Sequence, residues 1–251
     1  LAVAAGAKLA GASARIYLPA IVPQSRANRI LNEGGQVIRI DGTYEDAVEA
    51  AAEAARKGQG ILIADTTDQP QDLAVDDVMS GYGLIAKEVR AEVDSGTLAP
   101  ATHIFLQAGV GGFAAAMADG LKSRMAAPAM IIIVEPENAA CVKAGLATGH
   151  VVRFAGSLDT AAEMLSCGEA SRPALARLQA HGVEAMTVTE TELSNALETL
   201  EKHGGPATTP SGATGFAGLI AAIESPTLRA RLKLDPDSRV LLFATEGPIP
   251  G

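Results

Sequence analysis

At 251 residues with 48% hydrophobic content, the chain is long enough to bury a sizeable core in one or two lobes. Its net charge is −9 and its basic residues are scattered, which excludes a nucleic-acid groove or an anionic membrane surface as partner. Aromatic residues make up only 3%, with no Trp, so base-stacking platforms are excluded as well.

The first third alternates between helical and extended patterns. Leu1–Leu9 reads as a helix closed by Gly11, and residues 14–18 as a strand stopped by Pro19. Residues 25–32 form a helix ended by Gly34-Gly35, and Gln36–Ile40 the next strand. Thr43 is the N-cap of a long Ala/Glu helix over residues 44–57, and residues 60–64 read as a third strand followed by Asp65. After a polar break at residues 65–70, a linking helix is predicted over residues 72–93.

The second half continues in the same style. The apolar run Ile104-Phe105-Leu106 breaks at Gly109-Val110-Gly111-Gly112 and passes into an alanine-rich helix. A strand follows at residues 130–134, then a helix from Pro136 or Asn138 to Ala144. Residues 158–168 are helical in pattern, 182–188 extended, 190–202 and 212–223 helical, and 239–243 extended. Repeating βα units with short connections and no hairpin signals define an α/β fold with open, mostly parallel sheets and helices on both faces. We divide the chain into a smaller lobe over residues 1–80, incomplete at its start, and a larger lobe over residues 81–251 carrying the glycine-rich loop.

A start inside a helical pattern without an initiator Met suggests sequence upstream of Leu1. Ala12-Ser13-Ala14 mimics a signal-peptidase site, but Lys8 interrupts the apolar run before it and no basic region precedes it. No run reaches the ~18 apolar residues of a membrane span. Cys141 and Cys167 are isolated thiols with no metal or redox spacing, which suits a reducing cytoplasm. The four histidines show no ligand spacing, and no metal is expected.

In parallel α/β sheets, ligands sit beyond the carboxyl ends of the strands. Pro19, Asp41, Asp65, Gly109 to Gly112, Glu135 and Thr245 to Gly247 fall there. The glycine turn is the strongest candidate, because a strand that ends in glycines and opens a helix directs several backbone N–H groups at a phosphate. Gly109 to Ala114 also fits G-x-G-x-x-A, with Glu135 about 25 residues later offered to a ribose, the dinucleotide pattern. Two features count against that reading: three βα units precede the motif, and Pro136 follows the acid directly. Pro210-Ser211-Gly212 is a small-residue opening to a helix, whose structural reading is an N-cap made by Ser211 or Thr214.

The segments THIFLQAGVGG, IIIVEPENAACV, SLDTAAEMLSCGE, PSGATGFAGL and SRVLLFATEG, in this order, resemble the fold-type-II pyridoxal-phosphate enzymes. Within them the chain is most similar to the diaminopropionate ammonia-lyases, which ILIADTTDQPQDLAVDDVMSGY also resembles. The resemblance covers essentially the whole chain and implies a tryptophan-synthase-β-like architecture and a homodimer with pyridoxal 5'-phosphate as cofactor. It implies that the N–H groups of Gly109, Val110, Gly111 and Gly112 hold the cofactor phosphate and that Thr245 meets the pyridine nitrogen. A hydroxyl there, unlike a carboxylate, does not require that nitrogen to be protonated, which suits β-elimination. Asp65 matches an acid that contacts the substrate's amino groups, its structural reading being a turn carboxylate. Glu135 lines the site or braces the loop, and Ser211 belongs to its surroundings.

The implied reaction is α,β-elimination on a small amino acid, 2,3-diaminopropionate giving pyruvate and ammonia. The family's Schiff-base lysine lies upstream of Leu1. Ala213 stands where the family carries an acid, and a tryptophan-bearing segment is missing near residues 174–178. The alternatives are a serine/threonine dehydratase of the same fold, a nicotinamide-dependent dehydrogenase using the Gly109 loop, and a non-catalytic ligand-binding homologue.

Overall fold

The structure, a computed structural model, describes residues 1–247. It divides after Ala64 into two units. The first contains α1 (Ala2–Leu9), β1 (Arg15–Pro19), α2 (Gln24–Asn32), β2 (Gln36–Ile40) and α3 (Tyr44–Arg56). β1 and β2 pair in parallel, from Arg15 opposite Gln36 to Pro19 opposite Ile40. Ala4, Ala14 and Ile30 form a small core with Ile16, Leu18 and Val37 around it. Thr43 caps α3 as expected. Its hydroxyl accepts the Asp46 N–H at 3.3 Å and the Asp46 carboxylate accepts the Thr43 N–H at 2.7 Å, a reciprocal box of about 1 kcal/mol.

The expected third strand over residues 60–64 is not formed. Residues 61–64 lie in no ladder among the described residues, and Ile61 is 90% exposed. Alternating apolar residues make a strand only when a neighbouring strand takes their hydrogen bonds.

The second unit, from Asp65 onward, contains α4 (Leu73–Asp94), β3 (His103–Gln107), α5 (Gly112–Leu121), β4 (Met130–Pro136), α6 (Cys141–Thr148), α7 (Arg172–Ala180), β5 (Glu184–Val188), α8 (Glu190–Lys202), α9 (Pro210–Glu224), α10 (Pro226–Arg231) and β6 (Val240–Leu242). The boundary expected near residue 80 falls within α4. The four strands form one parallel sheet in the order β5-β4-β3-β6. Its central strands are continuous apolar runs because both faces are covered. Phe105, Ile132 and Val134 face a cluster that includes Leu193, Ala217 and Ala222 of α8 and α9. Ile104, Leu106, Ile131 and Ile133, pointing the other way by strand alternation, are buried just as fully.

Three glycines one helical turn apart bring α9 down onto the sheet. A methyl on Gly218 would lie 2.6 Å from Val134 Cγ2, and one on Gly215 2.9 Å from the Phe105 carbonyl oxygen. A methyl on Gly212 would collide with the Thr208 hydroxyl and lie 3.3 Å from the Glu246 nitrogen.

The helix predicted over residues 158–168 is replaced by an irregular segment with one 3-10 turn at Glu163–Leu165. Leu158 takes a left-handed φ of +61°. Its N–H donates to the Asn138 carbonyl at 3.1 Å, the Ala161 N–H to Glu190 at 2.8 Å, and the Ser166 hydroxyl to the Leu158 carbonyl at 2.6 Å. Distant partners thus satisfy the polar groups that a helix would have paired internally. The helix expected from residue 136 or 138 is split into a 3-10 turn at Glu137–Ala139 and the later α6. α7 and α10 have no counterpart in the sequence reading. No helix among the described residues is long and apolar enough to cross a membrane.

Candidate functional site

Parallel strands align their carboxyl ends on one edge of the sheet, and β3, β4 and β6 are neighbours there. The turn after β3 carries the most distinctive backbone. Gly111 sits at φ +97° as N-cap of α5, a conformation that glycine adopts without a steric penalty. The carbonyls of this turn are engaged by the protein. Gly109 O accepts the Cys141 thiol at 3.4 Å, Val110 O the Ser171 N–H at 2.8 Å, and Gly111 O the Ala115 N–H at 2.9 Å. The N–H groups of Gly109 to Ala114, by contrast, donate to no carbonyl among the described residues. A turn with its acceptors used and its donors clustered at a helix N-terminus is an anion cradle.

Thr245 lies beyond β6, on the same edge. Gln107, the last residue of β3, holds it there: its Nε2 donates to Thr245 Oγ1 and to the Phe243 carbonyl, both at 2.8 Å. The next residue is gripped by the segment leading into α9, with the Thr208 hydroxyl donating to the Glu246 carbonyl at 2.6 Å and the Thr209 hydroxyl to its carboxylate. Thr209, which accepts the Gly212 N–H at 3.2 Å, is the N-cap of α9. This corrects the assignment of that cap to Ser211 or Thr214. The Ser211 hydroxyl instead accepts the Met164 N–H at 3.1 Å, and Thr214 donates to the Pro210 carbonyl at 2.8 Å.

Glu135 is fully buried near the end of β4. Its two carboxylate oxygens accept the N–H groups of Val142 and Lys143 in the first turn of α6, each at 2.8 Å. Burial pushes its pKa up to about 8, against the opposing pull of the Lys143 and Val142 amides and the Lys143 ammonium. The residue therefore braces α6, and through Cys141 the carbonyl of Gly109. An acid that is fully buried and committed to the first turn of α6 is not presented to a ribose, which leaves the dinucleotide reading without its carboxylate.

Asp65 is exposed and follows an irregular segment rather than a strand. Its carbonyl oxygen is 4.0 Å from where a Gly112 methyl would stand, so it borders the glycine turn. Burial, and next the charge of Asp65, raise the Tyr82 phenol above its ordinary pKa. Tyr82 of α4 packs edge-on against Phe113 of α5 with ring centroids 5.6 Å apart, and Phe113 against Phe243 at 5.7 Å. Sequence reasoning found neither this aromatic row nor Gln107. Three aromatics in a chain this poor in them were the available signal.

The residues present fit a pyridoxal phosphate. The turn offers amides to a phosphate, Thr245 offers a hydroxyl, and the buried Gln107 Oε1 and Ser171 Oγ lack partners among the described residues. Among the described residues no cluster of three His, Cys, Asp or Glu could hold a metal ion.

Comparison with known proteins agrees with this geometry. The family profile described as pyridoxal-phosphate dependent enzyme matches residues 1–246. The diaminopropionate ammonia-lyase of Escherichia coli K12 is 29% identical over 257 residues, covering 98% of this chain and 63% of that protein. The biosynthetic L-threonine dehydratase of Mycobacterium tuberculosis H37Rv is 28% identical over 221 residues, covering 86% of this chain and 48% of that protein. The crystal structure of the Escherichia coli ammonia-lyase with an aminoacrylate–PLP azomethine intermediate superposes with a TM-score of 0.86 at 27% identity, covering 98% of this chain and 65% of that one. The chain belongs to the pyridoxal-phosphate-dependent enzymes and has their fold-type-II architecture. It spans less than two thirds of the length of these relatives.

Proposed function

We propose that the protein is a pyridoxal-phosphate-dependent amino-acid lyase of the α,β-elimination type, converting 2,3-diaminopropionate and water to pyruvate and two ammonia. The observation that carries this reading is the turn at Gly109 to Gly112, whose carbonyls are occupied and whose amides donate to no carbonyl among the described residues, on the sheet edge that also presents Thr245. In this reading the amides of Gly109, Val110, Gly111 and Gly112 bind the cofactor phosphate and the Thr245 hydroxyl bonds the ring nitrogen. When bound, the cofactor supplies an electron sink that acidifies the substrate Cα–H.

The chain's own residues position and select. Asp65, beside the glycine turn, pairs with an ammonium of the substrate and so favours the diamino acid over serine. Glu135 and Cys141 hold the turn from behind. The matches to diaminopropionate ammonia-lyases over 98% of this chain support the substrate. The match to a threonine dehydratase over 86% of it supports a hydroxyamino acid as the second reading. The family resemblance favours a homodimer.

The test is titration of the purified full-length protein with pyridoxal phosphate, followed by visible absorbance, and parallel assays of 2,3-diaminopropionate and serine. Saturable uptake with preferred turnover of the diamino acid supports the proposal. No uptake overturns it, and preference for serine replaces it with the dehydratase reading.

A further inference from the structure

We infer that Gln107 is a positioning residue that sets the direction of the Thr245 hydroxyl hydrogen and so makes Thr245 a hydrogen-bond donor toward the cofactor ring. The inference deepens the reading above and rests on it. Gln107 is buried at the end of β3. Its amide nitrogen lies 2.8 Å from the Phe243 carbonyl oxygen. A carbonyl oxygen only accepts, so the nitrogen of the amide must stand on that side; the flipped amide would set two acceptors against each other. The same nitrogen is 2.8 Å from Thr245 Oγ1, and its second hydrogen is therefore directed there. A hydroxyl that receives this bond keeps one hydrogen to give, and gives it away from Gln107.

The other end of the amide points to a requirement beyond packing. Gln107 Oε1 is buried without a partner among the described residues, and a methyl on Gly215 would lie 3.2 Å from it. An unsatisfied buried oxygen is costly, and a methionine of similar volume would remove it. Methionine would also remove both donors, leaving the Thr245 hydroxyl to rotate. Glutamate, nearly identical in shape, would reverse the bond, since its carboxylate accepts the Thr245 hydrogen and turns a lone pair to the ring.

The experiment compares Q107M and Q107E with the parent in the full-length protein, loaded with pyridoxal phosphate carrying 15N in its ring. The parent is expected to show the ring 15N shift of an unprotonated, hydrogen-bonded nitrogen, and Q107E a shift toward the protonated value. Q107M should lower cofactor affinity about tenfold with Thr245 present and less than twofold in a T245V background. Thermal melting of the cofactor-free forms separates loss of fold from loss of orientation. An unchanged 15N shift in Q107E, or equal losses of affinity with and without Thr245, shows that Gln107 merely ties β6 to β3 and overturns the inference. Failure of the parent to take up pyridoxal phosphate removes the reading of the site, and this inference with it.

Discussion

Glu135 and Val142 are joined by a 2.8 Å hydrogen bond from the first turn of α6 to a carboxylate at the end of β4. With the matching bond from Lys143, a single buried side chain closes the helix whose first residue, Cys141, reaches Gly109. Glutamine at position 135 keeps one acceptor but sets an NH2 group against the other amide. E135Q is therefore expected to cost about 1–3 kcal/mol and to loosen the glycine turn. The folded-state pKa of about 8 lies above the ordinary 4.5, so the folded protein binds more protons between these values. Stability should fall as pH rises from about 4.5 through about 8. Urea midpoints at pH 5, 7 and 9 check this slope, which should flatten in E135Q.

Alanine at Gly111 must adopt φ +97° and press on Val142 Cγ2 at 3.3 Å and on Ala174 at 3.5 Å. G111A should destabilise the protein by about 1–3 kcal/mol and weaken pyridoxal phosphate binding at least tenfold. Thermal unfolding and a cofactor titration measure the two effects. A binding loss without a stability loss would mean that the turn is not packed as described.

Asp65 tests substrate choice. A charge-assisted hydrogen bond to an ammonium is worth about 1.5–3 kcal/mol, roughly 10- to 150-fold in kcat/KM. D65A should lose this factor on 2,3-diaminopropionate and little on serine. Equal losses on both substrates would remove Asp65 from specificity.

The two cysteines should be chemically quiet. Both are buried, and burial followed by the charge of Glu135 pushes the Cys141 thiol well above its ordinary pKa. An aromatic disulfide reagent should titrate no thiol in the folded protein and two after denaturation.

At the crossing of α4 and α5, a methyl on Gly120 would overlap the Cβ of Ala86. G120A is expected to cost about 1–3 kcal/mol, and A86G to restore part of that loss in the double variant. Additive effects in denaturant melts would show that the helices do not meet there.

What was legible in the sequence was local. Gln36–Ile40 forms β2 over the residues its alternation marks, and Glu190–Lys202 forms α8 behind a Thr189–Glu192 box. The glycine turn could be read because an apolar run, a left-handed residue and a helix start all lie within a few positions. Gln107 could not, since its partners Phe243 and Thr245 lie 136 and 138 residues away and only the sheet order brings them together. Residues 158–168 failed for the same reason, their helical periodicity being outweighed by bonds to Asn138 and Glu190. Asp65 stands out in the sequence only as the acid after an apolar stretch, and that stretch pairs with no strand among the described residues.

Gly215 and Gly218 set α9 against two strands of the sheet, at Phe105 of β3 and Val134 of β4, and Gly212 sets its first turn against Glu246 in the segment beyond β6. At Gly215 the helix meets the Phe105 carbonyl, backbone against backbone, and at Gly218 it meets the β-branched Val134 side chain, which has little rotamer freedom to rearrange. The sheet edge therefore carries its final shape before any ligand arrives, and little of the binding energy is spent on ordering it.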